Sequence, residues 1–260
     1  MTRTVLVAAG VALVVALITV GAVRLLGPDD PPTAEPQTVA LDRQEVGQIV
    51  RDYLLENPGL LEEVIDALEQ EQFEAQAHAQ RQAIADNRET IFNPDHAFVA
   101  GNPDGDITLV EFFDYNCPYC RQMVPILMEL IDSDPELRLV LWDWPVLGQQ
   151  SVEAARVALA VKRLAPESFL EFHRALADQR GQVDGDRAAA IAEEIGIDGD
   201  DLAEAMTSEE IDTALSESVR LGQQLRLQGT PSYIVGDEVL GGAVGPDRLR
   251  ERIAQTRESG

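Results

Sequence analysis

A segment in the middle of the chain, residues 109–130 (LVEFFDYNCPYCRQMVPILMEL), restricts the fold more than any other part of the sequence. Its first five residues form the short, mostly apolar run that is typical of a strand covered on both faces. A helix follows, and Pro118 suits its first position because the missing N–H would have no helical partner there. The segment therefore predicts a buried strand, a short turn and a helix.

Cys117 and Cys120 are the only cysteines of the chain, and both lie at this turn. Cys117 is expected to cap the helix, so its sulfur would face free backbone N–H groups and the positive end of the helix dipole. These groups stabilise a thiolate, which predicts a pKa below that of a free thiol. Cys120, one turn further on, is expected to be more buried and to attack a mixed disulfide formed on Cys117. The pair predicts thiol–disulfide exchange.

Two structural explanations of the cysteine pair are weaker. A structural zinc site needs about four Cys or His ligands, and His78, His96 and His173 lie far apart without ligand spacing. A purely structural disulfide would close a very short loop and stabilise little. We therefore predict no metal and no cofactor, and we expect His173 to be a packing or surface residue.

The chain has 260 residues and a net charge of −26. Binding of nucleic acid requires a basic face, so this charge argues against that class of function. The acidity is better explained as a well-solvated surface. The length suits one domain of good size with additional segments.

The N-terminus carries an almost wholly apolar and uncharged run, residues 5–23, after Arg3. At about 1.5 Å per residue it spans roughly 28 Å, enough to cross the hydrocarbon core of a bilayer. This length favours an uncleaved anchor (residues 1–26) over a cleaved signal peptide, whose apolar region has about 7–15 residues. Both interpretations place the remaining chain outside the cytoplasm, in an oxidising compartment. Residues 27–40, rich in proline, predict an extended linker.

Residues 41–90 are predicted to form a helical region. Apolar side chains recur at helical spacing in two stretches, which contain Val46, Ile49, Val50, Tyr53 and Leu54, and then Leu60, Leu61, Val64, Ile65 and Leu68. Two such helices form little core alone. Either they fold back onto the main domain, or their apolar stripes meet other copies of the chain in a homo-oligomer.

Residues 91–260 are predicted to form one α/β domain. Residues 97–100 and 137–141 predict further strands, the second of them parallel to the strand before the cysteines. The chain from about residue 149 to 227 is helical and forms an insertion, whose first helix is expected to start near Ser151. Residues 229–240 predict a turn followed by a hairpin.

Four motifs, in this order, resemble those of the DsbA-like family of extracytoplasmic disulfide oxidoreductases, within the thioredoxin superfamily. They are LVEFFDYNCPYC, CRQMVPIL, WPVLGQQSVEAARVALA and GTPSYIVGDEVLGGAVG. The stretch RDYLLENPGLLEEVIDALE also resembles the N-terminal region of a subgroup with membrane-anchored proteins and Scs-type oligomers. The resemblance implies a thioredoxin-like fold with an inserted helical domain, preceded by an N-terminal membrane helix and a helical extension.

The resemblance also implies roles within the Cys-Pro-Tyr-Cys motif. Cys117 would be the attacking thiolate and Cys120 the resolving thiol. Pro118 and Tyr119 would tune the reduction potential of the pair. DsbA has a histidine where Tyr119 stands, and losing that histidine predicts a less stabilised thiolate and a weaker oxidant.

Three residues outside the motif match the family's site. Pro231 would be the cis-proline beside the cysteines, and Thr230 would offer backbone groups to an extended substrate chain. Glu111 matches a buried acid that serves proton transfer to and from Cys120, since a carboxylate in an apolar strand is costly unless it has a task. The alternative is that Glu111 points to a watery edge.

The leading hypothesis is an extracytoplasmic enzyme that introduces disulfides into reduced exported proteins and is reoxidised by a membrane redox partner. A second hypothesis keeps the same site in an oligomeric disulfide isomerase or reductase, assembled through residues 41–90. A third is a non-catalytic chaperone, which the intact cysteine pair disfavours because a binding module needs no paired thiol.

Overall fold

A computed structural model describes residues 42–259 of the chain. The described residues divide into two compact units, and the boundary between them lies between Ile65 and Asp66. In the first, helix α1 (Arg43–Glu56) is followed by the start of helix α2 (Gly59–Asp86). The predicted apolar stripes are largely exposed here, with Ile49 at 57% and Val64 at 56%. Among the described residues, no helix is both long and apolar enough to cross a membrane; the predicted anchor and linker, residues 1–40, lie outside them.

The second unit contains five strands and the remaining helices. In chain order they are α3 (Arg88–Phe92), β1 (Phe98–Gly101), β2 (Ile107–Phe113), α4 (Pro118–Ser133), β3 (Leu137–Asp143), α5 (Gln149–Leu164), α6 (Phe169–Ala177), α7 (Gly185–Glu194), α8 (Gly199–Met206), α9 (Glu209–Gln224), β4 (Ser232–Val235), β5 (Glu238–Gly241) and α10 (Pro246–Ser259). The five helices α5 to α9 fall within the predicted insertion.

The strands form one mixed sheet with the order β1-β3-β2-β4-β5. The central pair, β2 and β3, is parallel, as the sequence predicts for two strands joined by a helix, and every other pair is antiparallel. This is the thioredoxin-like α/β architecture. The predicted β1 lies at an edge, one residue later than expected, and β3 continues to Asp143.

Both faces of the sheet are covered, and β2 divides its side chains between them. Leu109 and Phe113 point to the face that carries α4 and most of the insertion, together with both cysteines. Val110 and Phe112 point to the face that carries the end of α2, α3 and part of α9. Because successive side chains of a strand alternate, Glu111 shares the face of Leu109 and Phe113 and therefore lies behind the cysteines.

The first insertion helix begins two residues earlier than the sequence predicts. Gly148, with a φ of 118°, precedes α5, and the helix starts at Gln149. Ser151 does not cap it; the hydroxyl is buried and accepts a hydrogen bond from Asn116 Nδ2 at 3.2 Å. The Ser151 side chain, which the local sequence places at the helix start, is thus used for a contact with the distant Asn116. Further along, the side chains of Asp184 and Asp198 cap α7 and α8.

Candidate active site

The two cysteines lie where β2 gives way to α4. Cys117 has an extended backbone (φ −82°, ψ 116°) and occupies the N-cap position, and Pro118 is the first helical residue. The turn before it is closed by Asp114, whose carbonyl accepts from Cys117 N at 3.0 Å. Both thiols are free and almost completely covered, with 4% of Cys117 and 3% of Cys120 exposed. Cys120 is therefore hardly more buried than Cys117, whereas the sequence predicts that it is the more buried of the two.

The surroundings shift the pKa values of the two thiols in opposite directions. A hydrogen bond from Cys120 lowers the pKa of Cys117 to about 5, and the Thr230 side chain and the backbone N–H groups of Cys120 and Tyr119 add to this against the effect of burial. Burial, followed by the same bond to Cys117, raises the pKa of Cys120 far above its usual value. At neutral pH the reduced pair therefore holds one thiolate, on Cys117, as the helix N-terminus predicts.

A loop between α9 and β4 faces the thiols. The peptide bond between Thr230 and Pro231 is cis. The Thr230 carbonyl lies 3.2 Å from Cys117 Sγ, and Pro231 is held from behind by a 2.8 Å bond from Gly242 N to its carbonyl. The structure thus brings Thr230 and Pro231 to Cys117 from 113 residues away in sequence.

Glu111 lies beneath the thiols and is only 1% exposed, so it does not point to a watery edge. Its Oε1 accepts a hydrogen bond from Tyr233 Oη at 3.1 Å, and Oε2 has no partner among the described residues. Burial raises its pKa to about 8, with a smaller contribution from the charge of Cys117, while the bond from Tyr233 acts in the opposite direction. Glu111 is therefore mostly protonated at neutral pH, close to both cysteines.

Tyr119, between the cysteines, has its side chain 59% exposed. Two further apolar side chains, Val146 and Leu147, are 42% and 52% exposed. Their backbone N–H groups both donate to Asp114 Oδ2, at 2.8 and 2.9 Å, so they follow the turn that precedes Cys117. Apolar surface is thus present around the thiols.

Sequence reasoning missed the residues that hold the active-site turn to the insertion. Asn116 donates to Val183 O at 2.8 Å and accepts from Val183 N at 2.7 Å. Arg121, directly after Cys120, donates to the carbonyls of Gln179 and Gly181 at 2.9 and 2.8 Å. The only sequence signal was their position next to the cysteines.

A buried aromatic pair lies beside the turn. Tyr115 Oη and His173 Nδ1 are 3.0 Å apart, and both residues are almost fully buried. Burial lowers the pKa of His173 to about 4, so the ring is neutral at physiological pH. His173 is therefore a packing residue, as predicted, with a partner that its sequence position does not indicate.

The fold and the site define a class of protein: a thioredoxin-like oxidoreductase with a cysteine pair at a helix N-terminus and a cis-proline loop opposite. Residues 108–254 match the family model described as the DSBA-like thioredoxin domain, and residues 42–76 match that of the copper resistance protein ScsC N-terminal domain. The chain belongs to the DsbA-like thioredoxin family of thiol:disulfide oxidoreductases.

Individual proteins agree with this assignment. A thioredoxin-like oxidoreductase from Silicibacter pomeroyi is 40% identical, with a TM-score of 0.64 over 67% of this chain and 99% of that one. A linker-deletion mutant of Proteus mirabilis ScsC is 26% identical, with a TM-score of 0.66 over 86% of this chain and 100% of that one. Disulfide bond formation protein D of Bacillus subtilis is 26% identical over 60% of this chain and 74% of its own length.

One curated relative is much longer than the matched region. The Na(+)/H(+) antiporter NhaA 1 of Salinispora arenicola is 28% identical over 55% of this chain, which spans only 22% of the antiporter's length. The match therefore concerns a part of that protein and carries no transport function to this chain.

Proposed function

We propose that this protein oxidises pairs of thiols in exported polypeptides. A substrate thiolate attacks the Cys117–Cys120 disulfide at Cys117, forms a mixed disulfide and releases Cys120 as a thiolate. A second substrate thiolate then attacks the substrate sulfur of the mixed disulfide and releases Cys117. Two electrons pass in total from the substrate dithiol to the enzyme. Of the two substrate protons, one ends on Cys120 and the other goes to solvent, because Cys117 stays a thiolate at neutral pH.

The single observation that carries the direction of this reaction is the position of Cys117 at the N-cap of α4, where the bond from Cys120 lowers the pKa of its thiol to about 5. A thiolate that is stabilised well below its usual pKa is a good leaving group at neutral pH, and its stability favours the reduced enzyme. A disulfide whose reduced form is stabilised is an oxidant. Tyr119, in place of the histidine of DsbA, does not remove this effect, because the dominant bond comes from Cys120.

The other site residues take supporting roles in the proposal. The backbone of Thr230, beside Pro231, aligns an extended substrate chain at Cys117 by strand addition. Glu111 donates a proton to the Cys120 sulfur as it leaves the disulfide, and takes that proton back when Cys120 re-forms the disulfide. This role needs a carboxyl group whose pKa is near the working pH, and the value for Glu111 is about 8. Pro118 and Tyr119 set the backbone geometry at the first turn of α4 and thereby tune the potential.

We also propose that the catalytic domain lies outside the cytoplasm, attached by residues 1–26 as an uncleaved anchor, with residues 27–40 as linker. The apolar run at residues 5–23 supports an anchor, and the family supports the compartment. A redox partner in the membrane would reoxidise the cysteine pair. A cleaved N-terminus would leave a periplasmic or secreted protein instead, and mass spectrometry of the protein from its membrane fraction would distinguish the two.

The second candidate is an oligomeric disulfide isomerase or reductase that uses the same site. Its support is the exposed apolar stripe on α1 and the start of α2, where Val46, Ile49, Val50 and Tyr53 are between 42% and 58% exposed. Such a stripe commonly meets a partner surface, and we propose residues 41–90 as a region for self-association. Light scattering on residues 41–260 tests this, and a monomer at micromolar concentration would remove the support for an oligomer.

The reduction potential of the Cys117–Cys120 pair, measured in glutathione buffers, tests the proposed function. A value near −120 mV, as in DsbA, would identify an oxidant, whereas one near −270 mV, as in thioredoxin, would identify a reductant. An intermediate value would favour the isomerase. Cys117→Ser should abolish both insulin reduction and oxidase activity. A double Cys→Ala variant that still supports normal function in cells would instead favour the chaperone hypothesis.

A further inference from the structure

A groove of about 360 Å³ leads away from the cis-proline loop. Its walls come from α2, from the chain that follows α9, and from β5. Thr230 belongs to this wall, and its carbonyl is 3.2 Å from Cys117 Sγ. A polypeptide that reacts at Cys117 and pairs with the Thr230 backbone can therefore continue into the groove.

The surface of the groove suits an extended backbone. Gly229, Gly241 and Gly242 line it, and a Cβ atom at any of them would meet nothing within 4 Å. Three carboxamides line the groove, those of Gln76, Gln80 and Gln228, and two of them are held by the protein backbone. Gln80 Nε2 donates to Leu225 O at 3.2 Å and Gln228 Nε2 donates to Arg226 O at 3.0 Å, so each retains its Oε1 to accept an N–H of a bound chain.

Arg226 supplies the only charge among the residues that line this groove. It has a φ of 54°, at the position after the C-cap of α9 where glycine is usual, so an arginine there is conformationally unfavourable. In the part of the chain that the structure describes, its backbone N donates to Gln223 O and its guanidinium forms no ion pair. By contrast, Arg156, Arg250 and Arg257 each pair with a carboxylate at 3.0 Å or less. The positive charge that Arg226 brings to the groove is therefore not neutralised by a carboxylate of the described residues.

We propose that the groove binds the segment of substrate polypeptide that flanks its reacting cysteine, and that Arg226 selects an acidic side chain there. The bound segment is extended, its backbone N–H groups donate to Gln80 and Gln228, and its carboxylate pairs with the Arg226 guanidinium. This inference rests on the proposed function, because the substrate reaches the groove through Cys117. It adds a preference among substrates and leaves the chemistry unchanged.

The test uses the oxidised full-length protein and reduced peptides that carry two cysteines and either Asp, Asn or Lys at each position beside the first. The rate of peptide oxidation is followed by mass spectrometry at fixed ionic strength. Arg226→Gln removes the charge, and Arg226→Gly removes it while relieving the positive φ, so poor folding cannot explain a loss. Arg220→Gln, an exposed arginine on α9 paired with Glu217, is the matched control.

We expect the Asp peptide to be oxidised about two- to fivefold faster than the Asn peptide at one or more positions, the range of an exposed ion pair. Both Arg226 variants should lose this preference, and Arg220→Gln should keep it. The Asn peptide should react equally with the unaltered protein and Arg220→Gln, and for the Arg226 variants the ratio of the Asp rate to the Asn rate is compared. An Asp preference that survives in Arg226→Gly, or that is absent from the unaltered protein, would overturn the inference. If no peptide is oxidised at all, the proposed function fails instead.

A second variant tests the groove without relying on charge. Gly241→Leu places a side chain in the open space of the groove and should slow oxidation of every peptide severalfold. Dithiothreitol is too small to need the groove, so the ratio of the peptide rate to the dithiothreitol rate should fall severalfold. Equal rates for peptides in Gly241→Leu and the unaltered protein would show that substrates do not enter the groove.

Discussion

Tyr233 Oη donates a 3.1 Å hydrogen bond to Glu111 Oε1 directly beneath the cysteine pair. The two residues are opposite one another in the register of β2 and β4, so the sheet itself aligns them. Glu111 is thereby held by one oxygen while Oε2 has no partner among the described residues. A buried carboxyl group with one free oxygen can exchange a proton with Cys120 without leaving its position.

Tyr233→Phe should change the pKa of Glu111 without moving Glu111 away from the cysteine pair. The bond from Tyr233 lowers the pKa of Glu111, so its loss should move that pKa upward from about 8. The carboxylate needed to accept the proton of Cys120 then becomes rarer at neutral pH, and closure of the disulfide should slow severalfold. The measurement is the pH profile of disulfide closure together with infrared titration of the carboxyl group. An unchanged profile would contradict a role for Tyr233; Tyr119→Phe, an exposed tyrosine, is the control.

Glu111→Gln should make the reduced protein more stable at alkaline pH. The pKa of Glu111 is raised from 4.5 in a free chain to about 8 in the folded protein, so its burial lowers stability progressively as pH rises from 4.5 to 8. Glutamine cannot ionise and still accepts from Tyr233. The gain in unfolding free energy over the unaltered protein should be near zero at pH 4.5 and reach on the order of 4 kcal/mol at pH 8. Asp143 is also buried and has a pKa raised to about 8, but it is present in both proteins, so its contribution to the difference in unfolding free energy cancels.

That difference is measured by urea denaturation at several pH values, with both proteins fully reduced. A constant difference across this range would mean that Glu111 is not ionised on unfolding as proposed. Such a result would also remove its assignment as a proton carrier.

The source of the low pKa of Cys117 can be tested with two substitutions of Cys120. A serine hydroxyl can still donate to the Cys117 sulfur, whereas alanine cannot. Because the bond from Cys120 is the largest cause of the shift, Cys120→Ala should move the pKa of Cys117 upward from about 5, and Cys120→Ser should largely preserve it. Thiolate absorbance at 240 nm, titrated with pH, measures both. Equal pKa values in the two variants would assign the effect to the helix N-terminus and Thr230 instead.

The same shift has a consequence for the stability of the reduced protein. A group whose folded pKa lies below its unfolded value stabilises the folded state above the unfolded pKa, here 9.0, and loses that effect as pH falls through about 5. The stability of the reduced protein relative to Cys117→Ala should therefore increase between pH 5 and pH 9. Thermal unfolding in a reducing agent checks this, and a difference that falls over the range would contradict the low pKa.

Asn116→Ala should loosen the attachment of the active-site turn to the insertion. The substitution removes the two hydrogen bonds to Val183 and the one to Ser151, at a cost of roughly 1–3 kcal/mol in unfolding free energy. Amide exchange at Val183 should accelerate, since its N–H loses its acceptor. Asn93→Ala, an exposed asparagine, should change neither quantity by more than a few tenths of a kcal/mol. Unchanged exchange at Val183 would show that the hydrogen bonds of Asn116 are not needed to hold the turn to the insertion.

Local sequence rules located the reactive end of the molecule. The apolar run of β2, Pro118 at the helix start and the Cys-x-x-Cys spacing require only interactions within one stretch of chain, so pattern alone sufficed to place Cys117 at the N-cap. The rules failed where a side chain bonds across the fold, as at Ser151, which serves Asn116 in place of a cap. The sequence indicated Glu111 because it is a carboxylate in an apolar strand, but it did not indicate its partner, Tyr233.

The amino-acid sequence by itself determined the cysteine pair, the parallel strands beside it and the family, because short-range periodicity and motif order carry that information. The tertiary structure alone decided which distant groups meet the thiols. Thr230 reaches Cys117 from 113 residues away, and Tyr233 reaches Glu111 from 122 residues away. Both contacts depend on the pairing register of β2 with β4, which is set by packing both faces of the sheet at once. Proton affinity in this site is thus a property of burial and cross-strand contact, and no local stretch of sequence contains it.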